Sequence, residues 1–150
     1  MLPTQPPRYL LDTDILVHYV RNDALSHWIE NRFQLRASPA APLICIVTAG
    51  ELRSLALQLG WGGEKRGQLD QIINDCVVIP LDFPGLVEAY ADIDAYSRQV
   101  GGSRGENDMW IAAAARVTGT RLLTTDKDFD HLDPKFIHRD WIDPHQKLIP

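Results

Sequence analysis

The chain alternates short apolar runs with longer segments whose apolar residues recur every three or four positions. Tyr9-Leu10-Leu11, Leu43 to Val47, Cys76 to Pro80 and Arg121 to Thr124 have the length of strands. Their cores are continuously apolar rather than alternating, as in strands buried on both faces of a parallel sheet. Between them the spacing predicts helices: Asp14 to about Asn22, carrying Ile15, Leu16, Tyr19 and Val20, and Ala24 to Arg36, carrying Leu25, Trp28, Ile29 and Phe33. A third opens at Thr48-Ala49-Gly50-Glu51, carries Leu52, Leu55, Ala56 and Leu59 and stops at Gly60; a fourth spans Glu64 to Asp75. Leu86 to Val100 and the Ala-rich stretch Asn107 to Val117 complete the helices. A turn over Lys127 to Leu132 precedes a last strand at Phe136-Ile137-His138, with loop expected from Asp140. Strands separated by helices of this length predict βαβ units: an α/β fold with a central parallel sheet of four to five strands and helices on both faces.

Composition narrows this little. The 150 residues suit one domain, with a lead over 1–8, a folded unit over 9–142 and a tail over 143–150. No stretch has the apolar length of a membrane span, and the first residues lack the basic and apolar regions of a signal peptide. Cys45 and Cys76 lie in or beside apolar runs and are expected to be free thiols in a reducing cytoplasm. The net charge of -5 argues against nucleic-acid binding over the whole surface, though not against a local basic rim.

The chemistry concentrates in acids at element boundaries. Asp12 ends the first strand, and either it or Asp14 can cap the following helix. Glu51 lies three residues after Thr48, in the pattern of a capping box. Asp108 stands in the first turn of its helix, where an acid favours the macrodipole, and Asp126 follows the fourth strand and can cap the turn after it. Each has a structural excuse alone. Together, Asp12, Glu51 and Asp126 share the edge where strands end and following helices begin. Asp108, whose helix precedes a strand, should start at the opposite edge unless that helix is long or tilted, so periodicity leaves the fourth acid unresolved.

Leu11-Asp12-Thr13-Asp14-Ile15-Leu16, Thr48-Ala49-Gly50-Glu51-Leu52, Asn107-Asp108-Met109-Trp110-Ile111-Ala112-Ala113 and Leu123-Thr124-Thr125-Asp126-Lys127-Asp128-Phe129 occur in the order and separation that resembles the PIN-domain ribonucleases. Within them, the chain looks like the VapC toxins of toxin–antitoxin pairs, and the likeness spans about Leu10 to Ile142. It implies a PIN-like domain in which Asp12, Glu51, Asp108 and Asp126 converge as the catalytic and metal-binding set, with Asp12 and Asp108 the most direct ligands. It also implies RNA as substrate, cut to a 5′-phosphate and a 3′-hydroxyl, a VapB-like antitoxin as partner, and a homodimer. Asp14 stands where the family often has Asn, and Asp128 or Asp130 could supplement Asp126.

Four carboxylates this close stay ionised only beside a cation, and an all-oxygen set suits Mg²⁺, with Mn²⁺ an alternative. Thr13, Asp14, Arg53, Arg104 and Asp128 are the expected substrate rim. Two other functions fit parts of the pattern. Asp12-Thr13-Asp14 after an apolar strand also matches the start of haloacid-dehalogenase-like phosphatases, although no downstream Gly-Asp-x-x-x-Asp motif follows. A PIN-like module that binds RNA or a partner without cutting is the other.

Overall fold

The computed structural model describes residues 7–103 and 105–148. Residues 1–6, most of the expected lead, and Arg104 of the expected rim lie outside the described residues.

Five short parallel strands form one sheet: β1 (Tyr9–Leu11), β2 (Leu43–Cys45), β3 (Val77–Ile79), β4 (Arg121–Thr124) and β5 (Arg139–Trp141), in the spatial order β3-β2-β1-β4-β5. The helices are α1 (Thr13–Arg21), α2 (Ala24–Phe33), α3 (Ile46–Gln58), α4 (Gly63–Asn74), α5 (Leu86–Val100) and α6 (Glu106–Thr118), with a 3-10 helix at Lys127–Leu132. Successive strand residues face opposite layers, as the two-residue period requires. Leu10, Leu43, Cys45 and Leu122 pack with α5, α6 and the 3-10 helix, whereas Leu11, Ile44 and Leu123 pack with α1 to α4. The continuous apolar runs thus reflect a sheet covered on both sides.

The order of addition reverses between β1 and β4. The chain builds outward through β1, β2 and β3, then returns to place β4 on the other side of β1. Ligands of open α/β sheets bind at the carboxyl edge at such a switch point. Leu11 lies beside Leu123 in register, and the Asp12 N–H donates to the Leu123 carbonyl at 3.0 Å. The ends of β1 and β4 are therefore held side by side.

Four sequence expectations are corrected. Asp12, not Asp14, caps α1: its side chain accepts from the Thr13 N–H, and Asp14 is an exposed first-turn residue. Thr48-Ala49-Gly50-Glu51 is not a capping box, because α3 starts at Ile46; the apolar Ile46 and Val47 leave the strand for the helix, tertiary placement overriding their β-branching. The last strand is Arg139–Trp141 and includes Asp140, not Phe136–His138. The Phe136 and Ile137 N–H groups donate back to the Leu132 carbonyl, which seats Ile137 in the core and packs the half-buried Phe136 against it. β5 instead pairs through polar contacts: Arg121 grips Asp140 (2.6 and 3.2 Å), and the Tyr9 hydroxyl donates to Asp140 (2.9 Å). Leu59, expected inward, is 56 % exposed past the end of α3.

Asp108 falls on the same edge as the other acids. A helix that feeds a parallel strand runs antiparallel to it and so begins at the carboxyl edge. α6 does this for β4, and it is α5 that runs the other way, with Gly85 at its start beside Val117 at the end of α6, whose Cγ1 would lie 3.7 Å from a Cβ added to the glycine. Cys45 is buried, Cys76 half-buried, and both are free thiols. No helix among the described residues is long and apolar enough to cross a membrane.

Candidate active site

Strand ends and helix starts deliver the acids to one place. Asp12 closes β1 and is only 4 % exposed. Both its oxygens are bound: Oδ1 accepts from the Thr13 N–H (2.8 Å), and Oδ2 from the Thr124 hydroxyl (2.7 Å). Thr124, fully buried at the end of β4, also accepts from the Asp126 N–H (2.9 Å). One hydroxyl thereby ties the acid after β1 to the acid after β4. Asp126 Oδ1 in turn accepts from the Asp128 N–H (2.8 Å), which starts the 3-10 helix.

Asp108 arrives from the first turn of α6. Carboxylate oxygens of Asp108, Asp126 and Asp128 all lie within 4.8 Å of one another. Gly105 lets the chain pass close beside Asp108: an added Cβ there would stand 3.1 Å from Asp108 Oδ2. The loop before α6 is anchored on the 3-10 helix, where the His131 ring fills the space a Cβ on Gly102 would need, bonds the buried Ser97 hydroxyl (2.8 Å) and stacks on Tyr96. Glu51 reaches in from α3 and accepts from the Thr13 hydroxyl (2.7 Å), which lies 3.1 Å from Thr48 Oγ1. Asp14 accepts a long hydrogen bond from the Thr125 hydroxyl (3.4 Å).

The electrostatics bear the mark of this crowding. Burial, above all, pushes the Asp12 carboxyl up to about 8; the Thr124 hydrogen bond opposes the rise, and the charges of Asp14 and Asp108 add to it. Asp108 is pushed to about 7, by burial and then by repulsion from Asp126, Asp128, Glu51 and Asp14. Asp126 is raised as well, by burial and by the acids at Asp128, Asp14 and Asp130, against the Asp128 N–H bond. Asp108 is the group whose charge senses four acids from three other segments: Asp126 and Asp128 after β4, Glu51 on α3 and Asp14 on α1. Such a set favours protons or a cation at neutral pH. Its all-oxygen donors and spacing fit a hard divalent ion such as Mg²⁺ or Mn²⁺, bound by a few carboxylates with water completing the shell.

The other sequence-predicted residues divide. Thr13, Asp14 and Asp128 stand beside the acids. Arg53 turns away to form an exposed ion pair with Asp70 of α4 (2.7 Å). Sequence reasoning missed Thr124, whose role as a bridge follows only from β1–β4 register, and Lys127, hidden by its place directly after Asp126. A larger cavity of about 660 Å³ opens between α1, α4 and the segment before β2, and none of Asp12, Glu51, Asp108 and Asp126 lines it.

Because Thr124 serves two buried partners, its hydroxyl should be costly to remove. Thr124→Val is expected to lose about 1–3 kcal/mol in urea unfolding, since it strands both Asp12 Oδ2 and the Asp126 N–H. Thr124→Ser, which keeps the bridge, is expected to recover most of that. Equal losses in the two variants would show that the methyl packing, not the bridge, carries the stability.

Comparison with curated proteins gives no sequence match. Solved structures do share the fold. The chain superposes on VapBC2 from Rickettsia felis, bound there to a promoter DNA fragment, with a TM-score of 0.76, 21% identity, and 90% of this chain and 98% of that chain covered. VapBC-1 from nontypeable Haemophilus influenzae gives 0.71 at 21% identity, covering 89% and 96%. FitAcB from Neisseria gonorrhoeae gives 0.69 at 23% identity, covering 92% and 99%. The family model for the PIN domain matches residues 9–135, the whole span from β1 to the 3-10 helix with all four acid-bearing segments, and the chain belongs to the PIN-domain family.

Proposed function

We propose that this PIN domain is a divalent-metal-dependent endoribonuclease and the toxin component of a VapBC-like pair. The observation that carries the reading is the set of Asp108, Asp126 and Asp128 oxygens within 4.8 Å, with Asp12 buried beside them at the switch point of the sheet. Mg²⁺ or Mn²⁺ held there would supply Lewis-acid polarisation of a phosphodiester and lower the pKa of a bound water. Asp108, Asp126 and Asp128 would hold the ion, and Asp12 would add its remaining lone pairs on the buried side. Both Asp12 oxygens are already fixed by Thr13 and Thr124, so its contribution is orientation and charge rather than a free-swinging ligand. Glu51, held through Thr13, would accept a proton from, or a hydrogen bond of, the attacking water.

The phosphatase alternative asks Asp12 to attack phosphorus as an exposed nucleophile. At 4 % exposure and with both oxygens bonded, it is built for support instead. The partner in this reading is a VapB-like antitoxin, by analogy with the VapBC complexes that share the fold; a homodimer in the cytoplasm is carried over from the family resemblance alone.

The direct test is incubation of the purified protein with single-stranded RNA and Mn²⁺ or Mg²⁺, followed by end-group analysis. Products carrying 5′-phosphate and 3′-hydroxyl ends, and loss of cutting in EDTA, are expected. Intact RNA would leave the non-cleaving module as the function, and 2′,3′-cyclic phosphate ends would overturn metal-assisted hydrolysis.

A further inference from the structure

An RNA strand approaching this edge meets a wall of carboxylates in a protein that is itself net negative. Cations must therefore stand near the acids but outside their cluster, and Arg21 and Lys127 do so. A cavity of about 470 Å³, within the size range of small-ligand sites, opens between α1 and the segment after β4. Asp126 and Asp14 stand in its wall toward the acid cluster, and Arg21 and Lys127 also line it. Val17, Leu55 and Pro144 add apolar surface.

Neither Arg21 nor Lys127 is ion-paired among the described residues, in contrast with Arg53, Arg98, Arg121 and Arg139, each of which has a carboxylate partner. Lys127 is exposed, yet its ammonium is steadied 4.6 Å above the Trp141 ring, and Trp141 is fixed in turn by its indole N–H bond to the Thr125 carbonyl (3.0 Å). Arg21 stands in the last turn of α1, about 10 Å along the helix axis from Asp14 in the first. His18, also in the wall, is taken by Asp23 (2.6 Å). The helix that begins with the acids thus ends with a cation that makes no ion pair among the described residues, and the segment that leaves Asp126 leads directly into another.

We propose that this cavity is a subsite for the nucleotide flanking the scissile bond: Lys127 and Arg21 hold the phosphate next to the one cut, and Val17, Leu55 and Pro144 seat its ribose and base. The proposal rests on the ribonuclease reading for its substrate, and it gives the RNA a path across the edge, from the acid cluster along α1. Phosphate binding by the two cations offsets the repulsion that the acid cluster imposes on the same strand.

The test measures binding of a fluorescent single-stranded oligoribonucleotide by anisotropy across a salt series, in a non-cutting Asp108→Asn background with Mn²⁺ present. Each phosphate contact to a single strand contributes about 0.7 to the slope of log affinity against log salt. Because both cations hold one phosphate, the double variant Lys127→Gln/Arg21→Gln is expected to lower the slope by about that amount, and each single variant by part of it. Arg98→Gln, which removes an ion-paired cation on α5, is the control and should keep the parent slope. In the cutting protein, the two variants should raise KM for the oligonucleotide with kcat retained, and the difference should vanish on a dinucleotide, which has no flanking phosphate. Unchanged slopes in both variants, or an equal loss on the dinucleotide, would overturn the subsite even if the protein cuts RNA. Conversely, a slope that depends on Lys127 and Arg21 in a protein that never cuts would keep the subsite and sink the nuclease reading. Loss of binding to an acidic peptide with RNA binding unchanged would give the cavity to a protein partner and overturn the proposal.

Discussion

In the absence of divalent metal, the protein is expected to lose stability as the pH rises from about 5 to 8, and millimolar Mn²⁺ is expected to restore it. The sign follows from the direction of the carboxyl shifts. Asp12 is pushed from 3.8 to about 8 and Asp108 from 3.8 to about 7, each by burial first. Between these limits the folded state keeps protons that the unfolded chain has already released, so ν_N exceeds ν_U and stability falls with rising pH until the folded groups also titrate. At roughly 1.4 kcal/mol per unit of displacement, the buried Asp12 alone accounts for a loss on the order of 5 kcal/mol by pH 8 as an upper bound. Asp108 is more open to solvent and adds less than its shift suggests. Asp140 works in the opposite direction: burial would raise it, but hydrogen bonds from Arg121 and Tyr9 overcome this and hold it below the usual range, so its contribution is lost in acid. The metal-free optimum should therefore fall near pH 4 to 5, lower than for most domains. A bound cation reverses the high-pH loss. At a concentration near 100 times its Kd it contributes about 2.7 kcal/mol, or roughly 5–10 °C in Tm for a chain of this size. Protons compete with it for the same oxygens, so the shift at pH 5.5 should be less than half that at pH 8. Melting curves with EDTA or Mn²⁺ at the two pH values read this directly. A stability that rises from pH 5 to 8 without metal, or a metal shift of equal size at both, would contradict a shared carboxylate pocket.

Asp12 and Asp126 were legible because an apolar run that ends in a carboxylate ends at the carboxyl edge of a parallel sheet, and Glu51 because the helix that carries it leaves β2 at that same edge. Periodicity left the position of Asp108 unresolved because its edge depends on a helix pair. α5 and α6 lie antiparallel between β3 and β4, and the direction of α6 follows from the strand it feeds rather than from the strand before it. The roles within the set were beyond local reading for another reason. Asp12 and Asp14 are equal candidates for a cap two residues apart, and what separates them is the Thr124 hydroxyl, brought over from 112 residues away by the pairing of β1 with β4. The same register hides the cation side of the edge: nothing in Asp126-Lys127-Asp128 says that the lysine turns toward Trp141 while its neighbours turn toward Asp108. β5 was shifted by three residues because its pairing is carried by Arg121, Asp140 and Tyr9, a polar ladder with no apolar period to read.

Asp108→Asn is expected to abolish metal-dependent cutting while leaving the metal-free protein more stable than the parent at pH 8. The two effects have one origin. Asp108 is the carboxylate repelled by Asp126, Asp128, Glu51 and Asp14 together, and its oxygens complete the set within 4.8 Å. Asn keeps the size and the helix position but cannot supply the charge that a divalent ion needs. If the bound ion provides several kcal/mol of transition-state stabilisation, its loss lowers kcat/KM by about 10³-fold or more, at 1.4 kcal/mol for each factor of ten. In the metal-free protein, the same change removes the central charge of the repelling group. Its Tm should exceed that of the parent by a few degrees at pH 8 and by nothing at pH 5, where Asp108 is already protonated and repulsion is absent. The pairing of these outcomes separates function from folding. A residue needed only for structure would lower activity and Tm together, and would do so at both pH values. Asp12→Asn provides the contrast: it places an amide against Thr13 N–H and Thr124, so it should cut activity without the same gain in Tm, because the buried hydrogen bonds on both oxygens must be remade. Cutting within tenfold of the parent in Asp108→Asn would remove Asp108 from the site, and with it the case that acids from α6 and from the end of β4 hold a common ion.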